Sequence, residues 1–166
     1  MTNKLMKRIL IIEDEAIVRE SMRDWLTEGG YIVETAIDGE QALKAIPEHD
    51  FDLVLLDLRL PGKNGIEVLK ESRKIRPNLK VVIITGYPSV ETAVLAMKQG
   101  AIDYLPKPLD LVDLEKLIEG TLTPQASLGE KDAPGESVAK VTVIKNKEGV
   151  NLTLTGWEYI DSYLNS

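Results

Sequence analysis

The stretch LVLLD, residues 53–57, is an apolar run that ends in a carboxylate. Similar runs, ILII at 9–12 and VVII at 81–84, are also followed directly by acidic or hydroxyl side chains. Short β-branched runs that alternate with stretches of helical periodicity are typical of a parallel sheet covered by helices on both faces. The sequence therefore predicts an α/β fold with a five-stranded, doubly wound parallel sheet.

Five strand-helix units fit between Arg8 and about Thr121. The strands are predicted at about 8–12, 31–35, 52–56, 80–84 and 102–105, and the helices at about 15–28, 39–46, 65–75, 89–99 and 110–121. In the first and third helices, the periodicity places these apolar side chains on the inward face: Ile17, Met22, Trp25 and Leu26, then Ile66, Leu69 and Ile75.

The sequence divides into three parts, a domain at 7–121, a linker at 122–137 and a small unit at 138–166. The linker is predicted from its mixture of Pro, Gly, Ser and charged residues. In the small unit, alternating apolar residues around 146–149 predict a hairpin, and a capping-box pattern at 155–158 predicts a short amphipathic helix. A unit this small does not fold stably by itself, so we expect it to dock on the first domain, on a second copy or on another protein.

Composition excludes several classes of protein. The net charge is −7 and the pI about 4.9, which argues against direct DNA binding, because DNA affinity needs clustered basic residues. The absence of cysteine excludes disulfides and thiolate chemistry and suits the cytoplasm. The N-terminal apolar stretch at 9–12 is too short to cross a membrane, so no membrane partner is expected.

Five polar side chains are predicted to meet at one edge of the sheet, because ligands of such folds bind beyond the carboxyl ends of the strands. They are Glu13, Asp14, Asp57, Thr85 and Lys107. Crowded carboxylates repel one another unless a cation or raised pKa values relieve the charge, and Mg²⁺ fits best as an oxygen-seeking ion. Lys107 and Thr85 would then bind an anionic ligand, while the simpler alternative is a solvated turn at Glu13 and Asp14 with Lys107 paired to Asp57.

These motifs resemble those of the receiver domains of two-component response regulators, and the resemblance covers residues 7–121. It is carried by an acidic pair after the first strand, an aspartate after the third, Thr-Gly after the fourth, an aromatic residue in the fifth and Lys-Pro after it. In this chain they are Glu13-Asp14, Asp57, Thr85-Gly86, Tyr104 and Lys107-Pro108.

The resemblance implies a flavodoxin-like strand order of 2-1-3-4-5 and a phosphoacceptor role for Asp57, which would attack a phosphohistidine. Mg²⁺ would be held by Asp14, Asp57 and the backbone carbonyl of Arg59, with Glu13 binding a metal-bound water. A cis peptide is implied between Lys107 and Pro108. The protein would catalyse its own phosphorylation and dephosphorylation, but it would act mainly as a signalling switch.

The resemblance also implies a conformational switch and residues that control the lifetime of the phosphorylated form. Thr85 would move toward the new phosphoryl group and vacate space that Tyr104 can enter, changing the surface of the fourth helix, fifth strand and fifth helix. Arg59 and Tyr87 would set how easily water reaches the acyl phosphate. Tyr104 as an ordinary edge aromatic, and Arg59 and Tyr87 as plain loop residues, are the alternatives.

The partners implied are a sensor histidine kinase or phosphotransfer protein and an unidentified output protein, and a homodimer is also open. The kinase-docking surface is predicted at Ile17, Val18, Ser21 and Met22 of the first helix, with Pro106 nearby. Core packing explains some of these residues equally well.

Other classes of function fit less well. Phosphatases with an aspartyl nucleophile usually require a second Asp two positions on, where this chain has Arg59, and a flavin carrier would not place Glu13 and Asp14 in its phosphate loop. A receiver-like binding module that does not use phosphorylation, and a fragment of a longer transcriptional activator, stay open. The single histidine, His49, is predicted to be a surface residue away from Asp57.

Overall fold

The computed structural model describes residues 7–123 and two further short strands near the C-terminus. Strands and helices alternate through the main domain. The strands are β1 (Arg8–Ile12), β2 (Ile32–Ala36), β3 (Leu53–Asp57), β4 (Val81–Thr85), β5 (Asp103–Pro106), β6 (Ile144–Lys145) and β7 (Asn151–Leu152). The helices are α1 (Ala16–Glu28), α2 (Gly39–Ala45), α3 (Gly65–Ile75), α4 (Val90–Lys98) and α5 (Leu111–Leu122).

The main sheet has five parallel strands in the order β2-β1-β3-β4-β5. This confirms the predicted α/β fold and its 2-1-3-4-5 strand order. The register sets Ile12 beside Leu56, Asp57 beside Ile84, and Thr85 beside Pro106. The carboxyl ends of the three central strands, β1, β3 and β4, therefore lie side by side, and that end of the sheet receives the polar residues that follow.

Two apolar clusters cover the two faces of the sheet, so the central strands are buried on both sides as parallel strands require. The cluster with α2, α3 and α4 includes Leu10, Val54, Leu56, Ile83 and Tyr104. The cluster with α1 and α5 includes Ile11, Leu55, Ile84, Leu114 and Ile118. Strands β3 and β4 have every residue buried, so Asp57 and Thr85 are carried by fully buried strands.

Side chains at the helix starts fix where the helices begin. Asp38, Asn64 and Ser89 each accept a hydrogen bond from the backbone N–H three residues later. Asp110 accepts from the backbone N–H groups of Val112 and Asp113. These bonds satisfy amides that have no partner inside the helix, typically stabilising it by about 1 kcal/mol. The loops that precede these four helices therefore end at the capping residues.

Some details of the sequence prediction were wrong. Strands β2 to β5 lie one residue further along the chain than predicted, so Asp57 and Thr85 are the last residues of their strands and not the first residues after them. Ile17 was placed on the inward face of α1, but it is 81% exposed. Ile75 is 42% exposed, while Val68 is the residue that α3 buries beside Leu69.

Strands β6 and β7 pair antiparallel, with Ile144 opposite Leu152 and Lys145 opposite Asn151. They lie in the segment for which the sequence predicts a hairpin. The predicted linker and the predicted helix with its capping box lie outside the described residues, and the three-part division of the chain stays a prediction. Among the residues described, no helix has the length and apolar character needed to cross a membrane.

Candidate functional site

Four of the five predicted polar residues are shielded from solvent at the carboxyl end of the sheet, three of them almost completely and one in part. Glu13 is 1%, Asp57 6% and Thr85 0% exposed, and Lys107 is half-buried. Asp14 is exposed and stands at the entrance. Burying charged side chains is costly unless they are paired, so this arrangement requires internal compensation or a bound ion.

The three acidic side chains converge. Glu13, Asp14 and Asp57 each offer a carboxylate oxygen, and these oxygens lie within 4.8 Å of one another. A hard divalent cation such as Mg²⁺ prefers carboxylate oxygens and retains several waters, and the exposed Asp14 leaves one side open for them. The donor set therefore fits Mg²⁺, and it lacks the nitrogen or sulfur ligands that zinc favours.

Lys107 bridges two of these carboxylates. Its Nζ donates a hydrogen bond of 2.6 Å to Glu13 Oε1 and one of 3.1 Å to Asp57 Oδ2. The peptide bond between Lys107 and Pro108 is cis, as the resemblance implied. The predicted Lys107–Asp57 pair is present, but the shorter contact to Glu13 was not foreseen.

The charges of the site perturb its titration. Burial raises the pKa of Glu13 to about 7, and the negative charge of Asp57 adds to the rise, while hydrogen bonds from Lys107 and the Glu15 amide oppose it. Burial lowers the pKa of Lys107, but its hydrogen bonds to Glu13 and Asp57 outweigh that effect and the net pKa is raised. Lys107 is therefore a fixed positive charge, and Glu13 changes its protonation near neutral pH.

Residues that the sequence analysis missed hold the acidic loop and the start of α3. Arg19 Nη1 on α1 donates to the carbonyl oxygens of Glu13 at 3.0 Å and of Asp14 at 3.1 Å. At Gly65 an added Cβ would lie 2.6 Å from the carbonyl oxygen of Asp57 and from Leu58 Cα. An Arg one turn into the helix, and a Gly after an Asn cap, were the available signals for these two roles.

Thr85 Oγ1 accepts a hydrogen bond of 3.1 Å from the Tyr87 amide. The backbone carbonyl oxygen of Thr85 accepts a hydrogen bond of 2.8 Å from the Lys107 amide, which connects the end of β4 to the residue that follows β5. The hydroxyl group and the ammonium group are thus carried by neighbouring, hydrogen-bonded backbone segments.

Arg59 and Tyr87 lie against each other. Arg59 Cζ is 3.7 Å from the centroid of the Tyr87 ring, a cation–π geometry, and the Arg59 amide donates to Asp57 Oδ1 at 3.1 Å. The ring is 63% exposed. Both residues predicted to control access of water therefore form one contact beside Asp57, whereas the role of the Arg59 carbonyl as a metal ligand stays a prediction.

Tyr104 is fully buried, so it is not an ordinary edge aromatic. Its hydroxyl accepts a hydrogen bond of 3.2 Å from the Ser89 amide and also bonds the Thr92 hydroxyl. The phenol thus joins β5 to the first turn of α4. Ser89 and Thr92 were not singled out from the sequence, although Ser at a helix start was the signal for the cap.

The predicted docking residues do not all share one surface. Ile17, Val18, Ser21 and Met22 line one groove of about 390 Å³, together with Lys107 and Pro108. Met22 is 3% exposed and offers little surface. Pro106 does not line this groove; it lines the adjacent groove between β5 and α5, and Pro108 lines both. The docking surface stays a prediction.

His49 lies at the opposite end of the sheet, before β3. Its side chain is 43% exposed, its Nε2 is 3.6 Å from Glu34 Oε2, and its ring meets Phe51 edge to face. These contacts agree with the expected surface role for this residue.

The comparisons with known proteins agree with this geometry. Residues 9–119 match the family model described as the response regulator receiver domain. The chain belongs to this family. The receiver domain is 44% identical over 118 residues to the transcriptional regulatory protein ZraR of Escherichia coli K12, an alignment that covers 69% of this chain and 26% of ZraR. It is 39% identical over 129 residues to the response regulator MprA of Mycolicibacterium vanbaalenii, covering 76% of this chain and 56% of MprA.

Solved receiver domains have the same fold. A CheY-like receiver domain protein from Methanospirillum hungatei is 37% identical, with a TM-score of 0.69, and the match covers 70% of this chain and 94% of that one. CheY of Borrelia burgdorferi, in a complex with CheX, BeF3 and magnesium, has a TM-score of 0.68 and 25% identity, covering 71% of this chain and 90% of that one.

The receiver domain spans about a quarter of the length of ZraR. ZraR, and the protein AlgB of Pseudomonas aeruginosa, which is 43% identical over 107 residues (64% of this chain and 24% of AlgB), are named transcriptional regulatory proteins. These names concern proteins that are much longer than the matched region. That this chain does not itself contact DNA therefore stays a prediction.

Proposed function

We propose that Asp57 accepts a phosphoryl group from a phosphohistidine of a sensor histidine kinase or a phosphotransfer protein, and that the phosphorylated form switches a protein-interaction surface. The observation that carries this proposal is the convergence of Asp57 with Glu13, Asp14 and Lys107. Such a set combines a nucleophile, a cation site and a fixed positive charge within one small volume.

The reaction requires positioning and charge neutralisation more than a strong base. A carboxylate oxygen of Asp57 attacks phosphorus as the bond between phosphorus and the imidazole nitrogen breaks. The imidazole keeps the bonding electrons and takes up a proton from solvent. Lys107, now 3.1 Å from Asp57 Oδ2, supplies positive charge where the phosphoryl oxygens arrive, and the Thr85 hydroxyl supplies a hydrogen-bond donor.

Mg²⁺ is the proposed cofactor. Asp14 and Asp57 would bind it directly with the Arg59 carbonyl, and Glu13 would accept a hydrogen bond from a coordinated water. The ion would neutralise the charge that builds up between the carboxylates and the phosphoryl group. Glu13 accepts a hydrogen bond of 2.6 Å from Lys107. If Lys107 turned toward a phosphoryl group, the ion would compensate the charge of the Glu13 carboxylate in its place.

The lifetime of the acyl phosphate is proposed to depend on the Arg59–Tyr87 contact. The stacked pair stands beside Asp57, where an attacking water must approach in line with the acyl phosphate bond. Replacing either residue should change self-catalysed dephosphorylation more than phosphoryl transfer, since transfer brings its own large donor to the site.

The conformational change on phosphorylation is proposed to begin at Thr85 and to reach Tyr104. Thr85 ends β4, the loop that follows it leads directly to Ser89 at the start of α4, and the Tyr104 hydroxyl accepts a hydrogen bond from the Ser89 amide. Movement of Thr85 toward a phosphoryl group would pull this loop and shift the start of α4 against β5. The surface formed by α4, β5 and α5 would report the change to an output protein.

The kinase or phosphotransfer partner is proposed to dock at the groove beside α1. Its apolar rim is formed by Ile17, which is 81% exposed, with Val18 and Pro108. Lys107 also lines this groove, so a partner bound there would lie next to the phosphoacceptor site. An exposed isoleucine in such a position is better explained by recognition than by packing.

The decisive experiment is incubation with MgCl₂ and radiolabelled acetyl phosphate. The wild type should become labelled, Asp57→Asn should not, and Asp24→Asn, which changes an exposed aspartate on α1, should label like the wild type. Omission of Mg²⁺ should abolish labelling. If neither the wild type nor Asp24→Asn is labelled, the chain is better described as a receiver-like binding module that does not use phosphorylation.

A second candidate function is favoured by the names of the relatives. The chain would be the receiver part of a longer transcriptional activator, as its similarity to ZraR and AlgB suggests. Sequencing the gene beyond codon 166 tests this candidate, because an in-frame continuation into an output domain would support it and a stop codon at that point would refute it.

A further inference from the structure

A groove between β5 and α5 lies outside the phosphoacceptor site. It has a volume of about 380 Å³ and combines an apolar floor with an acidic rim. The floor includes Leu105, Leu109 and Leu117, and the rim includes Asp103, Asp110 and Asp113. An apolar groove with carboxylates on one side fits a segment that is itself apolar and basic.

We propose that residues 138–166 of the same chain dock in this groove. This inference does not depend on the phosphorylation proposed above. Two independent observations point to this segment as the occupant, namely the position of β6 and the distribution of charge along the chain.

The first observation is the position of β6. Strand β5 is at one edge of the five-stranded sheet, and an edge strand exposes unpaired backbone groups that proteins usually cover. Backbone atoms of Ile144–Lys145 come within 8 Å of β5, Cα to Cα. The short antiparallel pair of β6 and β7 therefore stands next to the groove and not at the far edge formed by β2.

The second observation is complementary charge. Residues 138–147 contain Lys140, Lys145 and Lys147 and no acidic residue, in a chain whose net charge is −7. The groove presents carboxylates, among them the exposed Asp113. Opposite charges at the rim of an interface fix its orientation, although each exposed pair adds little affinity.

Docking would also give residues 138–166 the buried apolar surface that they lack by themselves. The apolar residues of this segment include Trp157, Ile160 and Leu164, and a unit of this size buries too little surface to be stable by itself. Tethering to the same chain raises the effective concentration of the segment at the groove into the millimolar range. Even a weak interface is then largely occupied.

Cysteine cross-linking tests the proposal on the full chain, which has no native cysteine. The test pair is Val112→Cys, beside the groove on α5, with Asn146→Cys in the segment. The control pair replaces Ile37 in place of Val112, because Ile37 is 46% and Val112 47% exposed but Ile37 follows the opposite edge strand β2. Both pairs are treated with a short bis-maleimide, and non-reducing gels separate intrachain from interchain products.

Intrachain cross-linking of the test pair should be on the order of tenfold faster than that of the control pair. Equal rates would overturn the proposal, since they mean that the segment is not held at the groove. Predominantly interchain products from Val112→Cys with Asn146→Cys would also overturn it, because a second copy would then be the occupant.

Two further measurements guard against a variant that fails to fold. A spin label on Asn146→Cys should broaden the amide resonances of Leu109 and Leu117 and leave those of α2 sharp, and uniform weak broadening would contradict the proposal. Asp113→Lys should slow the intrachain cross-link severalfold, whereas Glu40→Lys, which changes the exposed first-turn acid of α2, should not. Equal cross-linking rates in these two variants would contradict the charge argument.

Discussion

Replacing Glu13 by Gln should change how the stability of the metal-free protein depends on pH. Glu13 is 1% exposed, and burial raises the pKa of its carboxyl group to about 7 from its ordinary value of 4.5. The folded protein therefore binds a proton at Glu13 more tightly than the unfolded chain does. Between pH 4.5 and 7 this carboxyl group loses its proton on unfolding.

The sign follows from linkage. Where the folded state binds more protons than the unfolded state, the free energy of unfolding falls as pH rises. The contribution of Glu13 is fully present below pH 4.5 and is lost as pH rises through 7. With 1.36 kcal/mol for each pKa unit, the shift from 4.5 to about 7 corresponds to a loss on the order of 3 kcal/mol. The raised pKa of Lys107 does not contribute, because it titrates far above this range.

Urea unfolding at intervals from pH 4.5 to 8, in the presence of EDTA, measures this effect. The wild type should lose stability across the interval relative to Glu13→Gln, whose amide cannot titrate. Glu48→Gln, which changes an exposed glutamate, is the control and should follow the wild type. Parallel curves for the wild type and Glu13→Gln would refute the assignment of a raised pKa to Glu13.

Three other substitutions test separate parts of the structure. Tyr104→Phe removes the hydrogen bonds to Ser89 and Thr92 and should lower the free energy of unfolding by about 1–2 kcal/mol in urea titrations; no loss would mean that these bonds are replaced by water. Gly65→Ala forces a Cβ to 2.6 Å from backbone atoms and should cost about 1–3 kcal/mol and slow labelling by acetyl phosphate, so a stable and fully reactive variant would contradict the tight contact. Tyr87→Ala, which removes the ring under the Arg59 guanidinium, should change the half-life of the labelled protein by a larger factor than the labelling rate, and equal factors would count against it.

Most of what could be predicted about the candidate site from the sequence came from the residues at the ends of the strands. Asp57, Thr85 and the acidic pair each follow a run of residues too apolar to be anything but a buried strand, and in a parallel sheet such ends meet at one edge. The strand order came from the family resemblance, since hydrophobic runs do not state which strands are neighbours. The convergence of carboxylates could thus be predicted, but their individual partners could not.

Two of the errors, the inward placement of Ile17 and that of Ile75, have a common physical cause at the ends of helices. Ile17 and Ile75 have the correct helical spacing for an inward face, but they lie in the first turn of α1 and the last turn of α3. There the sheet no longer lies beneath the helix, so Ile17 lines an open groove and Ile75 is partly exposed. Periodicity gives the direction of a side chain around the helix axis and not how far the opposing surface extends.

Contacts between loops were equally hard to predict. The stacking of Arg59 on Tyr87, and the bond from Lys107 to Glu13, join residues that are distant in sequence and depend on the exact length and path of two loops. A sequence pattern that places both loops at one edge does not specify which side chains touch. These are the details for which the three-dimensional structure was required.

The buried phenol of Tyr104 gives the protein an internal spectroscopic probe. Because the ring is enclosed on all sides, it can flip about its Cβ–Cγ axis only when the surrounding packing opens, and the proton resonances of its two edges report how often that happens. Any process that loosens the seam between α4 and β5 would merge those signals, and it would do so without an added label. The timing of such openings could therefore be followed in the unmodified chain.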